Sequence, residues 1–453
     1  NKKLLYNMDS SFDRQNEPPL VPYRFPIIGH TYYFLYDTEN FLKECKENFG
    51  EPFSLYVFGS VITIVGVEST PEVLMNSDVF DPVTAVNKIF PIHDVFNQFR
   101  KIYSPLRTSK VVHEQFTCKL SIYTSRIQKE VLSGIEKYFG DCKEPKVFRN
   151  IQNTLPRMIS KPITNIILGE ECAQFEDIIT SFAVIENEVR KMMFITPFLS
   201  FIHPSLHKYF ALLPFKFGWN PMIKHRNLFV QHCKPIIEKR IRQRRELGEK
   251  YNQKDDLLDF FISESETDVI DDEFLDNLFG ELYCFASINT TAQSISGALF
   301  DYGGRSELWK EIYEEQLKIH NETNGDLNTK VVNKMIKLEC FLKESFRYST
   351  NIGRDVYLYM RDTAFNTKFF GDTSNDFQLK RYITLYPNGK IVHSSATKID
   401  RSFIKFGGGK HIYLHHLILR YNIRTESGKI DPYSKPSLFM FPPNSGLIFE
   451  NRN

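Results

Sequence analysis

The sequence of 453 residues lacks the features that would assign it to several large classes of protein. Its 57 Lys and Arg nearly balance its 55 Asp and Glu, so no excess of positive charge predicts a nucleic-acid partner. The seven cysteines form no CxxC pair, which argues against a structural metal site and favours reduced, buried thiols. No apolar run reaches the roughly 20 residues that a membrane-spanning helix needs. What remains is an ordinary globular composition.

Aromatic residues are abundant, with 40 Phe and 22 Tyr against 2 Trp. This bias favours a helical protein with an apolar core. Residues 51–67 are β-branched and aromatic around Gly59-Ser60, which predicts a hairpin. Helical periodicity dominates from about residue 70 to 350, and strands and turns follow. We predict a mostly α fold with a small β-rich part, in one domain over residues 17–453, after a disordered or anchor-proximal segment at 1–16.

Three local patterns carry chemical information. Glu344 and Arg347 lie one helical turn apart, where their side chains can form an ion pair. Small and hydroxylated residues at 286–292 interrupt an otherwise apolar helix that is predicted over 279–302. A glycine-rich turn at 406–413 leads into a helix but lacks the spacing of a phosphate-binding loop.

In this order and at these separations the three patterns resemble the cytochrome P450 superfamily. PPLVPYRFPIIGH (18–30), LECFLKESFRYS (338–349) and LKRYITLYPNGK (379–390) are similar to its sterol 7α-hydroxylase and prostacyclin synthase branch. The resemblance implies that residues 279–302 form the long helix over the haem. It also implies roles for six residues: a structural triad of Glu344, Arg347 and Arg381, and, if haem is retained, propionate partners at Arg100, Lys410 and His411.

The sequence departs from the family pattern where the haem-ligating cysteine is expected. Tyr413 occupies that position, His415 replaces the glycine two residues later, and Asn289 replaces the acidic residue before the threonines. Loss of the thiolate removes the electron donation that favours O–O cleavage, although a tyrosine phenolate can ligate haem iron. The candidate catalytic residues are therefore Asn289, Thr290, Tyr413 and His415.

The resemblance implies an enzyme that acts on a hydrophobic lipid, sterol or terpenoid-like substrate. Without a thiolate we expect a non-oxidative rearrangement, cyclisation or isomerisation, with no cofactor, no metal and no reductase. One alternative is a haem-binding oxidoreductase with Tyr413 as an unusual axial ligand, and the other is a non-catalytic pseudoenzyme that binds a hydrophobic ligand. The expected partners are a small hydrophobic molecule and a membrane surface. The apolar, proline-interrupted stretch 192–219 is interpreted as a core helix pair, with a membrane-facing or substrate-entry flap as the alternative. The expected location is the cytosolic face of the endoplasmic reticulum, or the cytoplasm if no anchor precedes Asn1.

Overall fold

A computed structural model describes most of the chain. It covers residues 17–69, 72–73, 107, 110–193, 198–265, 269–283, 285, 288–349, 357–358, 363–388, 391–393, 410–433 and 441–452. Residues 1–16, Arg100 and the glycine-rich residues up to 409, all of which the sequence singled out, lie outside the described residues.

Helices make up most of the described chain, which confirms the predicted fold class. They are α1 (Thr31–Tyr36), α2 (Thr38–Phe49), α3 (Leu120–Tyr138), α4 (Ile151–Leu168), α5 (Glu176–Met193), α6 (Pro204–Lys216), α7 (Pro221–Leu247), α8 (Leu257–Glu264), α9 (Asp272–Tyr283), α10 (Ile288–Gly303), α11 (Ser306–Thr323), α12 (Thr329–Val332), α13 (Ile336–Tyr348), α14 (Thr367–Phe370) and α15 (Lys410–Arg420). Shorter helical turns occupy Val112–Thr117, Phe198–Phe201, Gly248–Lys250 and Gly371–Thr373.

The strands are short and form three small sheets. They are β1 (Phe53–Val57), β2 (Ser60–Val65), β3 (Lys146–Phe148), β4 (Tyr357–Leu358), β5 (Ile383–Leu385), β6 (Ile391–His393), β7 (Tyr421–Thr425) and β8 (Leu447–Asn451). Their orders are β1-β2-β4, β3-β8-β7 and β5-β6. The predicted hairpin at 51–67 is present, because β1 pairs antiparallel with β2 and Leu55 faces Ile62.

Helix α10 lies at the centre of the main hydrophobic core. It packs against α4, α5, α13, α15 and strand β7. Ile295, Ala298 and Leu299 are fully buried on it. At its end, Gly303 allows close approach to β7: a Cβ there would lie 3.2 Å from the backbone nitrogen of Thr425. The central helix is therefore fixed in position on several sides.

The prediction of one continuous helix over 279–302 is wrong. Helix α9 ends at Tyr283 and α10 begins at Ile288. The backbone N–H of Asn289 donates to a carboxylate oxygen of Glu186 on α5, at 3.2 Å, instead of continuing the hydrogen-bond ladder of α9. A carboxylate at a helix N-terminus satisfies a free donor and complements the helix dipole, so Glu186 stabilises a new helix start here.

The predicted Glu344–Arg347–Arg381 cluster is assembled and buried. Arg347 and Glu344 are fully buried and their charged groups lie 2.7 Å apart, while Arg381 donates to the other oxygen of Glu344. Arg347 also donates to the carbonyl oxygens of Ala364 (2.9 Å) and Asp376 (2.8 Å). Burial raises the pKa of Glu344, and the two guanidinium groups act against that shift. The cluster thus ties α13 to the segment 363–382.

Removing the central carboxylate tests this cluster. The substitution Glu344→Gln keeps the side-chain shape but leaves two guanidinium groups without their anion. We expect the free energy of unfolding to fall by about 3–5 kcal/mol, measured by denaturant titration. The matched control is Glu314→Gln, because Glu314 forms an exposed pair with Lys310 at 3.8 Å. The control should change stability by less than about 0.5 kcal/mol. Equal effects for both variants would contradict a buried ionic cluster.

Candidate functional site

Two of the predicted catalytic residues lie in the first turn of α10. Asn289 is half-buried and Thr290 is exposed. The amide nitrogen Nδ2 of Asn289 is buried and has no hydrogen-bond partner among the described residues. A buried amide donor without a partner is costly, so this group is available to an acceptor that approaches the start of α10.

Lys410 begins α15 with an almost completely buried side chain, only 5% of which is exposed. Burial lowers its pKa to about 8, and no carboxylate of the described residues forms an ion pair with it. Its Nζ atom lies 4.3 Å from the ring centroid of Phe346. A buried ammonium group without an anion is unfavourable, so the position suits an acidic ligand group.

The next two predicted residues differ in their polar contacts. His411 Nε2 is hydrogen-bonded to a carboxylate oxygen of Glu339 on α13. Tyr413 is 4% exposed, and its side chain belongs to the main hydrophobic core. Burial raises the pKa of the Tyr413 phenol far above its usual value. The phenol is therefore protonated unless a cation lies beside its oxygen.

His415 is held by α11. Its Nδ1 atom lies 2.8 Å from Oε1 of Gln316, whose amide nitrogen donates to Glu315 at 3.0 Å. Its ring also contacts those of His320 and His416, with centroids 6.0 and 4.9 Å away. Burial lowers the pKa of His415 to about 3 and that of His416 to about 4. These contacts orient the ring of His415 toward α11, whereas α10 carries Asn289 and Thr290.

The structure therefore assembles the predicted residues in two groups on packed helices. Asn289 and Thr290 start α10, Lys410 starts α15, and Tyr413 lies one turn further along α15. Helices α10 and α15 are in contact. Arg100 cannot be placed because it lies outside the described residues.

Sequence reasoning missed a buried polar array between α5, α7 and α9. The Oγ atom of Ser181 lies 2.7 Å from Nδ1 of His225, whose Nε2 lies 3.0 Å from a carboxylate oxygen of Glu188. Ser181 also lies 3.2 Å from the hydroxyl of Tyr283. Ser181 is only 2% exposed, so this serine, histidine and glutamate join α5 to α7, with Tyr283 adding α9, and do not present a nucleophile. The only sequence signal is the spacing of Ser181 and Glu188 by two helical turns.

The comparison with protein families gives the class of the chain. The model described as Cytochrome P450 matches residues 18–367, which is more than half of the chain. The chain therefore belongs to the cytochrome P450 family. The match ends before α15 and does not include Tyr413.

Individual relatives are distant. A lanosterol 14-alpha demethylase of Candida tropicalis is 22% identical over 76% of this chain and 63% of its own length. An eburicol 14-alpha-demethylase of Uncinula necator is 25% identical over 68% of this chain and 56% of its own length. An ent-kaurene oxidase of Gibberella intermedia is 24% identical over 53% of this chain and 43% of its own length. The chain spans less than two thirds of the length of each of these relatives.

Family membership overturns one expectation from the sequence. We expected no cofactor, and this is wrong, because members of the cytochrome P450 family bind haem. The described residues fit such a group on two counts. The buried ammonium of Lys410, which has no carboxylate partner among the described residues, suits a carboxylate such as a haem propionate, and Tyr413 offers a phenol oxygen of a kind that can ligate haem iron.

No three His, Cys, Asp or Glu side chains among the described residues are arranged to hold a metal ion. Among the helices of the described ranges, none combines the length and apolarity that crossing a bilayer requires.

The buried His416 predicts a pH dependence of stability. Its pKa is about 4 in the folded protein against an ordinary value of 6.5. Below pH 6.5 His416 is therefore protonated in the unfolded chain but stays neutral in the folded protein. The free energy of unfolding falls as the pH drops toward 4. The titration of this residue alone should lower the free energy of unfolding by about 2 kcal/mol between about pH 7 and about pH 5.

The measurement is denaturant unfolding at several pH values with the variant His416→Gln. Over that interval the free energy of unfolding of the variant should fall by about 2 kcal/mol less than that of the unsubstituted protein. The exposed His113 provides the control His113→Gln, which should keep the original dependence. A His416→Gln profile parallel to the original would contradict the burial of a neutral imidazole here.

Proposed function

We propose that this chain is a haem-containing enzyme that rearranges or isomerises a sterol- or terpenoid-like lipid without inserting oxygen. The observation that carries the proposal is Tyr413. It lies in the first turns of α15, and no cysteine follows Cys340 in the sequence. The sequence resemblance aligns Tyr413 with the family's cysteine ligand. A haem held by a tyrosine oxygen supplies iron chemistry without the electron donation of a thiolate.

The residues around the site have separate roles in this proposal. Lys410 anchors an acidic substituent of the haem with its buried ammonium group. Tyr413 provides the ligand oxygen and gives up its proton when a cation lies beside it. Asn289 has an unpaired amide donor that orients a carbonyl or hydroxyl oxygen of the substrate. Precise orientation of a bound molecule supplies a large part of the barrier reduction that a rearrangement needs.

The choice of a lipid substrate rests on the relatives. They are named for lanosterol, eburicol and ent-kaurene, which are all hydrophobic polycyclic molecules. We propose that this chain takes a substrate of the same class. A rearrangement consumes no external electrons, so the proposal includes no reductase. We also propose that the chain belongs to the sterol 7α-hydroxylase and prostacyclin synthase branch of the family. Its proposed location is the cytosolic face of the endoplasmic reticulum.

A second candidate is oxidation of the same class of substrate. The names of the relatives favour it, because they describe demethylases and an oxidase. In that case Tyr413 would hold the haem iron of an oxidoreductase, and a reductase would be required.

Spectra and product masses distinguish the two candidates. We expect protein expressed with added haem to show a phenolate-to-iron absorption band that Tyr413→Phe lacks. Reduced protein with carbon monoxide should not show the long-wavelength band of thiolate-ligated members of the family. With a sterol substrate, the product should keep the mass of the substrate and form without oxygen or reductase. A product that gains an oxygen atom, only when reductase is present, would establish the oxidative candidate instead.

Asn289 provides a second test of the site. The substitution Asn289→Ala removes the amide that is proposed to hold the substrate, and we expect substrate affinity to fall by about tenfold, measured by the spectral shift on binding. The control is Ser294→Ala one turn further along α10, since the Ser294 hydroxyl donates to the carbonyl oxygen of Thr290 at 2.8 Å. The control should bind substrate normally. Unchanged affinity in Asn289→Ala would show that Asn289 does not contact the substrate.

A further inference from the structure

The carboxylate of Glu186 lies directly beside Asn289 at the start of α10. One of its oxygens accepts the backbone N–H of Asn289 at 3.2 Å. This bond occupies one of the roughly four lone-pair positions that a carboxylate offers. The side-chain amide nitrogen Nδ2 of the same Asn289 is buried and has no hydrogen-bond partner among the described residues. An acceptor from α5 and a donor from α10 therefore occur within one residue of each other.

Apolar side chains flank this polar pair in the sequence of both helices. On α5, Ile185 and Val189 are 4% and 8% exposed and belong to the main hydrophobic core. On α10, Ile288 directly precedes Asn289 and is fully buried. Helices α5 and α10 pack against each other. Hydrogen bonds discriminate strongly between ligands in such surroundings, because a polar atom without a partner is costly away from water.

The pair selects the kind of polar group that a ligand presents. A hydroxyl accepts a hydrogen bond from the amide of Asn289 and donates its own proton to the carboxylate of Glu186. A ketone accepts from the amide but has no proton for the carboxylate. An ammonium group donates to the carboxylate but cannot accept from the amide, and a ligand carboxylate is repelled by Glu186. Of these four groups, the hydroxyl alone satisfies both side chains.

We propose that Glu186 and Asn289 together select the hydroxyl group of a hydrophobic alcohol, and that the corresponding ketone binds more weakly. The hydrogen bond to the carboxylate is charge-assisted, which makes it stronger than a bond between neutral groups. Glu186 thereby has two roles, because it fixes the start of α10 and also accepts a hydrogen bond from the ligand. This inference rests on the proposed function, which places the substrate at the start of α10, and names the polar group that the substrate carries there.

Cholestanol and cholestanone test the selection directly, because they differ only in a hydroxyl or a keto group at the same carbon. The measurement is equilibrium binding of radiolabelled cholestanol to the full chain, expressed with added haem, and its displacement by unlabelled cholestanone. We expect the alcohol to bind about tenfold more tightly than the ketone, since the ketone lacks one charge-assisted hydrogen bond. The amine of the same skeleton should also bind more weakly than the alcohol.

Two substitutions should change the preference in different ways. Glu186→Gln removes the negative charge, so the alcohol should lose about fivefold in affinity and its preference over the ketone should fall to about twofold. Asn289→Asp replaces the amide donor with a second acceptor, so the amine should then bind more tightly than the alcohol. The matched control is Glu176→Gln on the same helix. Glu176 is exposed and pairs with Lys137 at 3.0 Å, so this variant should keep the tenfold preference.

Three results would overturn the inference. Equal binding of the alcohol and the ketone to the unsubstituted protein would do so while leaving a sterol substrate in place. An unchanged preference in Glu186→Gln, with native circular dichroism, would show that another group makes the selection. Binding of neither compound would contradict the sterol class of the proposed function and this inference with it. The comparison of the two ligands on the unsubstituted protein requires no variant, so it decides the question even where Glu186→Gln does not fold.

Discussion

A carboxylate with no access to water, Glu344, holds two guanidinium groups in the interior of this protein. Burying three charges is expensive, and the cost is offset because each charged oxygen and nitrogen has a partner. Arg347 extends the cluster to backbone carbonyl oxygens at Ala364 and Asp376. The segment 363–382 also buries Leu379 in the main core and packs Phe377 against Phe341, so these donors and apolar contacts together fix its position.

Helix α10 connects the buried cluster to the candidate site. It contacts α13, which carries Glu344, and α15, which carries Lys410 and Tyr413. Its own start is fixed by the carboxylate of Glu186 on α5. The two ends of the candidate site are therefore held by different means: a polar contact at the start of α10 and close apolar packing around Tyr413. A change at Glu186 would therefore shift Asn289.

Sequence patterns predicted those parts of the structure that depend on local chemistry. The β1–β2 hairpin follows from alternating β-branched residues around Gly59, and the Glu344–Arg347 pair follows from helical spacing. Parts that depend on contacts between distant segments were not predictable. The interruption between α9 and α10 depends on Glu186, more than a hundred residues earlier. The orientation of His415 depends on Gln316, and the Ser181–His225 contact joins two helices.

The electrostatics of α15 bear on how Tyr413 acts. Its phenol is buried without a described cation beside it, so the neutral form is strongly favoured. Lys410 is the nearby buried cation in sequence, and its own pKa is already lowered to about 8 by burial. Iron would stabilise the phenolate and so offset the cost of deprotonating the buried phenol, and a haem carboxylate would stabilise the buried ammonium. Ligand binding that requires a deprotonated side chain releases a proton and strengthens with rising pH. If Tyr413 holds the haem iron as proposed, cofactor affinity would keep rising to a higher pH than with an acidic thiol, because the buried phenol loses its proton only at a higher pH.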